Sequence, residues 1–161
     1  DGHDNSAQPY YPASYPLDNI IGVASVNQKN QLLSSSNFGK PVHIAAPGLG
    51  ILSTVPGGKF GTMSGTSQAT AFVTGAAALV ASQAKGKRPF DYKEVKEWIL
   101  AGAKPLPSNE NHEWVSSGLL SIPGSLAQAV KNEVDTKKKL ASPAPAIALV
   151  PVLKSKKKFR D

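Results

Sequence analysis

Between Thr62 and Ala84 the chain carries no lysine, arginine, aspartate or glutamate, and no other feature limits its fold as much. Ala69, Phe72, Val73, Ala76, Ala77 and Val80 recur at helical spacing, while Ala71, Ala78, Leu79 and Ala81 fill the opposite side. The spacing predicts a long helix that is apolar nearly all round. Such a helix has no face to give to water and belongs inside a sizeable protein. A chain of 161 residues is long enough for one domain with a real core.

The flanking sequence supplies short elements around that helix. Residues 1–18 are rich in Pro, Tyr, Ser and Asp and read as loop. Residues 19–26 form a short apolar run suited to a buried strand. Val42–Ala46 reads as a second strand, stopped by Pro47-Gly48, and Ile51–Val55 as a third, stopped by Pro56-Gly57-Gly58. A further helix begins at Asp91, with Glu94 three residues on in a capping-box-like start. It carries Val95, Trp98 and Ile99 on one face and stops near Gly102. Gly118–Ile122 suggests another strand, and Ser125–Val130 opens a last helix that runs out in Lys137-Lys138-Lys139. No internal repeat is present.

The net charge of +7 misleads when taken over the whole chain. Residues 137–161 hold eight basic residues and one acid, whereas residues 1–136 hold ten of each. A neutral body with a basic tail argues against a nucleic-acid-binding core. The apolar part of the tail, residues 140–153, is broken by Pro143, Pro145 and Pro151. It is shorter than the roughly 20 residues that span a bilayer. It reads as a disordered Pro/Ala segment, with its flanking lysines suited to anionic surfaces. Cysteine is absent, so no disulfide or Cys-based metal site can form. The polar opening Asp1-Gly2-His3-Asp4 is neither a signal peptide nor a translation start, and the expectation is a chain that begins partway through a larger protein.

The chemistry concentrates in Gly65-Thr66-Ser67-Gln68-Ala69-Thr70. A serine stands where a glycine-bearing loop enters the apolar helix. The first N–H groups of a helix lack internal partners, and the helix dipole adds positive charge there. An oxyanion growing beside Ser67 would be stabilised by that field and by the Ser67 N–H. Gly65 removes a side chain where substrate must approach. Gly-Thr-Ser alone, however, reads more readily as a helix cap.

The longer segment decides between the two readings. Residues 65–79 are similar to the active-site serine signature of the subtilisin-like serine protease (subtilase) family, G-T-S-x-A-[ST]-P-x-V-[AT]-G followed by an alanine-rich helix. The departures are Ala71, where the family usually has proline, and Phe72, where histidine is frequent. Tyr15-Pro16 with Asn19–Val26 resembles the family's "YP…VIAVGAV" strand, and Ser34–Gly39 its "FSNYG" turn. Ile44-Ala45-Ala46-Pro47-Gly48 resembles "D-[IV]-x-A-P-G", Ile51–Thr54 the "I-x-S-T" that follows, and Gly118–Ser121 the late "GxGxIN" strand. Order and spacing agree over roughly residues 1–131.

This resemblance implies an α/β fold: the C-terminal portion of the subtilisin-like three-layer architecture with a mainly parallel sheet, incomplete in this chain. Residues 1–136 would be catalytic domain and 137–161 the tail. It implies a secreted or cell-envelope serine endopeptidase with Ser67 as nucleophile, and with Tyr10, Gly65 and Thr66 at the substrate. The Asp and His motifs of the family are missing. His43 lies inside a predicted strand and reads as structural, and His3 and His112 read as surface loop residues. The oxyanion asparagine of the family would lie just before Asp1, with Asn5 a weak substitute. The chain alone is therefore expected to be inactive, to expose an apolar patch and strand edges, and to need the N-terminal part of the catalytic domain. The alternative is a non-catalytic subtilase-like fragment or interaction module.

Two finer expectations concern the loop before the first strand. A tyrosine at position 10 narrows a specificity pocket that is often lined there by small residues. Many subtilases hold structural calcium through carbonyls of this loop and a later aspartate. Asn27 stands at that later position here, leaving Asp18 and carbonyls for an ion in the full-length protein. No other cofactor is expected. The partner is a polypeptide substrate.

Overall fold

A computed structural model describes residues 2–83, 91–106 and 114–141. In chain order the elements are β1 (Val23–Val26), β2 (Ile44–Pro47), β3 (Ile51–Val55), β4 (Lys59–Met63), α1 (Thr66–Gln83), α2 (Tyr92–Ala101), β5 (Gly118–Leu119) and α3 (Ile122–Ala141). β1, β2 and β5 form a parallel sheet with β2 in the middle. Val23 pairs with Ile44 on one side, and Ile44 with Gly118 on the other. β3 and β4 form a separate antiparallel hairpin, from Ile51 opposite Met63 to Val55 opposite Lys59.

The period-2 alternation of β2 divides the core. Ile44 and Ala46 face Ala69, Val73 and Val80 of α1, Val95, Trp98 and Ile99 of α2, and Ala129 of α3. Ala45 points the other way, into a cluster with Ala24, Val26 and Val42 that Leu32, Leu106, Val115 and Leu119 help to close. A sheet buried on both faces explains why its strands read as short continuous apolar runs. All three helices contribute to the first cluster and none to the second.

Helix α1 is buried along one stripe only, Ala69, Val73, Ala76 and Val80. Phe72 is 39% exposed and Leu79 48%, and the hairpin beside them exposes Leu52, Phe60 and Met63. The expectation of burial all round is thus half met, because no described element lies over that side. Together these side chains form an exposed apolar patch that spans the helix and the hairpin. No helix among the described residues is long and apolar enough to cross a membrane.

Helix ends follow local chemistry. Asp91 caps α2, its carboxylate accepting from the Lys93 N–H at 2.9 Å. Gly102 ends it, with its N–H bonded to the Trp98 and Leu100 carbonyls. A β-carbon on Gly102 would collide with the backbone of Gly124 and Ser125, so this glycine lets α2 end against the first turn of α3. That helix starts at Ile122, earlier than Ser125. Ser121 turns out to be its cap, the hydroxyl accepting from the Gly124 N–H at 3.2 Å, and β5 is correspondingly only two residues long.

Candidate active site

The loop before α1 hangs from the carboxyl ends of the parallel strands, where open α/β sheets place their ligands. The Gly48 N–H bonds the Val26 carbonyl at 3.0 Å, and the Gly65 N–H bonds the Gly48 carbonyl at 2.8 Å. Gly65 adopts φ +153, a conformation that L side chains rarely take. Its carbonyl accepts the first helical bond, from the Ala69 N–H at 3.3 Å. A β-carbon on Gly48 would strike the Ser25 hydroxyl and the Gly65 carbonyl. Gly48, which as sequence only marks a strand end, is therefore the peg for the serine loop. The Ser25 hydroxyl beside it is buried, with no hydrogen-bond partner among the described residues.

Ser67 occupies the second position of α1, exposed to solvent. Among the described residues its hydroxyl has no hydrogen-bond partner. The first turn has no acidic residue to offset the positive end of the dipole. Thr70 and Thr74 return their hydroxyls to the Thr66 and Thr70 carbonyls at 2.8 and 3.0 Å, so neither competes for the N-terminal donors. Ala71, where a proline is usual, sits within the helix and its substitution leaves the first turn intact.

Two cavities flank this helix start. One of about 350 Å³ brings Tyr10 and Thr66 together, with Ala13, Thr70 and Asn5. The other, about 650 Å³, is lined by Ser67, Gln68, Phe72 and Leu79 of α1 and by Leu52 and Met63 of the hairpin. Ser67 thus faces one cavity, and Tyr10 with Thr66 the other. Gly65 lines neither of these two cavities; it makes the positive-φ bend that leads the chain into the helix. Asn5 is buried and its side-chain carbonyl accepts from Asn37 at 3.0 Å.

Neither described histidine lines the cavity that holds Ser67. His43 Nδ1 accepts from the Gly22 N–H at 2.9 Å, and the His43 N–H donates to the Gly22 carbonyl at 2.9 Å. Burial first, and the Lys96 ammonium second, hold its imidazole below the usual histidine range. It is a neutral strand-pinning acceptor. His3 is exposed in the opening loop. His112 and the tail beyond Ala141 lie outside the described residues.

The donor set expected to suit calcium is engaged by lysines. Lys96 Nζ donates to the Ile20 carbonyl at 2.6 Å and to the Leu17 carbonyl at 3.3 Å. Lys93 Nζ pairs with the Asp18 carboxylate at 2.7 Å. Among the described residues no group of three or more His, Cys, Asp or Glu could hold a metal. A divalent ion within bonding distance of the Ile20 carbonyl would face an ammonium on the same oxygen, so these residues do not fit calcium. Neither lysine stands out in the sequence as a partner of this loop. Their signal was a Lys-x-x-Lys pair on one helix face.

A serine on the N-terminal turn of a buried-face helix, at the carboxyl end of a parallel sheet, has the form of an acyl-transfer nucleophile. The sequence model of the subtilase family, peptidase family S8, matches residues 1–138, and the chain belongs to this family. It is 45% identical over 84 residues to a thermophilic serine proteinase of Bacillus sp. (strain AK1), covering 52% of this chain and 20% of that protein. To subtilisin NAT of Bacillus subtilis subsp. natto it is 49% identical over 73 residues, 45% of this chain and 19% of that protein. The solved structure of the prenylagaramide maturation protease PagA superposes with a TM-score of 0.66 at 32% identity, over 74% of this chain and 45% of that one. The matched regions therefore span about a fifth of those two curated relatives and under half of that structure.

Proposed function

We propose that this chain carries the nucleophile half of a serine endopeptidase. The observation that bears the reading is the exposed Ser67 hydroxyl, without a partner among the described residues, on a helix turn free of acidic side chains. Ser67 Oγ attacks the peptide carbonyl, and its proton passes to a histidine base supplied by the part of a subtilase domain that these residues do not include. The oxyanion meets the Ser67 N–H and the positive helix end. The C–N bond then breaks, the amine leaves with the proton, and water hydrolyses the ester on Ser67.

The remaining half would lie on the apolar surface of α1 and the β3–β4 hairpin. That surface borders Ser67, so the same contact that buries Phe72 and Leu79 would bring the base to the hydroxyl. In the complete protease, Ser67→Ala lowers kcat by about 10⁶-fold, the scale known for the nucleophile of subtilisin. Substrate binding stays within a few-fold. Retention of more than a hundredth of the activity would dismiss Ser67 as nucleophile.

A further inference from the structure

The segment from Tyr15 to Ile20 leads into β1 as a succession of tight turns, with the Leu17 N–H on the Tyr15 carbonyl at 2.9 Å and the Ile20 N–H on the Leu17 carbonyl at 3.1 Å. This folding turns the Leu17 and Ile20 carbonyls toward one point. Lys96 Nζ occupies that point, at 3.3 and 2.6 Å from the two oxygens. The shorter distance is that of a charge-assisted bond. The Asp18 carboxylate between them is held by Lys93, one helical turn before Lys96 on the same face of α2. Converging carbonyls and a carboxylate form a hard-oxygen donor set of the kind that holds a metal cation. Here two side-chain ammonium groups satisfy it, and a lysine head is a compact point charge with three donors.

We propose that Lys96 is a tethered cation: its ammonium takes the place of a metal ion in fastening the Tyr15–Ile20 loop, and so makes that loop indifferent to free calcium. The covalent stem is the physical advantage. A metal ion binds with an occupancy set by its concentration, and its contribution to stability falls with dilution or chelation. The Lys96 head is delivered by α2, whose Val95, Trp98 and Ile99 are anchored in the main core. Its local concentration does not change with the medium. The loop is thereby tied to the helix layer and to β1 at once. The cost is desolvation of the ammonium, which lowers its proton affinity from the usual lysine value.

The test uses the full-length protein and calcium itself as the probe. Hydrogen exchange of residues 15–22 is followed with chelator and with millimolar calcium. Protection of the wild-type loop is expected to be the same in both, and a calcium-induced rise in its protection would overturn the proposal without any variant being made. The double variant Lys93→Gln/Lys96→Ala, which frees the oxygens and leaves space, should gain a calcium-dependent rise in thermal midpoint of a few degrees over wild type. Adding Asp18→Asn should remove that gain. Lys96→Met, which fills the space without charge, should lower the midpoint and stay unresponsive to calcium. A double variant with no gained response, or a gain that survives Asp18→Asn, would contradict the assignment.

Discussion

At the scale of single residues, Tyr10 and His43 have quite different surroundings. Tyr10 lines a cavity with Ala13 and Thr66, and under the proposed function its ring fills space that the substrate side chain on the acyl side of the cleaved bond would enter. Tyr10→Gly in the complete protease should shift preference toward large aromatic side chains, by about 10-fold or more in relative kcat/KM. An unchanged ranking across a peptide series would remove Tyr10 from the pocket. His43 makes a pH prediction. Its folded imidazole titrates below the ordinary value, whereas the unfolded one takes a proton near pH ~6.5. The unfolded state then binds more protons, so stability rises with pH in that window. The contribution is present above about pH 6.5 and is lost as pH falls toward the folded value. His43→Asn keeps an acceptor for the Gly22 N–H without titrating, so its thermal midpoint should fall less between pH 7 and 5 than that of wild type. Parallel profiles would show that His43 does not carry the slope.

At the scale of elements, the junction of α2 and α3 depends on two glycines meeting backbone to backbone. Gly102 has φ −83, which any residue adopts, so only the close approach of Gly124 and Ser125 demands a glycine. Gly102→Ala should destabilise by about 1–3 kcal/mol in denaturant titration, and a neutral result would mean that the helices separate freely. The same junction shows what was legible beforehand. Helix α1 was readable because an uncharged run with helical spacing has few other solutions. The Asp91 cap was readable because its chemistry is local. The strand β4 was not: Lys-Phe-Gly-Thr-Met is exposed or half-exposed throughout and offers no apolar run. Its only signal was the turn Pro56-Gly57-Gly58 following a strand. The cap role of Ser121 was hidden because an apolar Gly-Leu-Leu-Ser-Ile run reads equally well as a longer strand. Of the site, Ser67, Gly65 and Thr66 stood out through one contiguous motif. The Lys96 tie could not, since it joins positions 76 and 79 residues apart.

At the scale of the whole molecule, one face of α1 packs the sheet and the other presents Phe72 and Leu79 beside the exposed side chains of the hairpin. The all-round apolar character of α1 makes sense if both faces are covered in the active protein. Under the proposed function, chemistry and stability then share a surface, because Ser67, Phe72 and Leu79 line one cavity with the hairpin. A charge placed there tests this without touching the main core: Leu79→Glu should leave the 161-residue chain folded and prevent it from completing a protease. Fluorophosphonate labelling, with the modified residue identified by mass spectrometry, reads the role of Ser67 directly. If Ser67 is a nucleophile completed by the other half, it is labelled when these residues stand within a complete subtilase domain, and not in the isolated chain or in the Leu79→Glu protein. Robust labelling of Ser67 in the isolated chain, or no labelling in the complete domain, would contradict that reading.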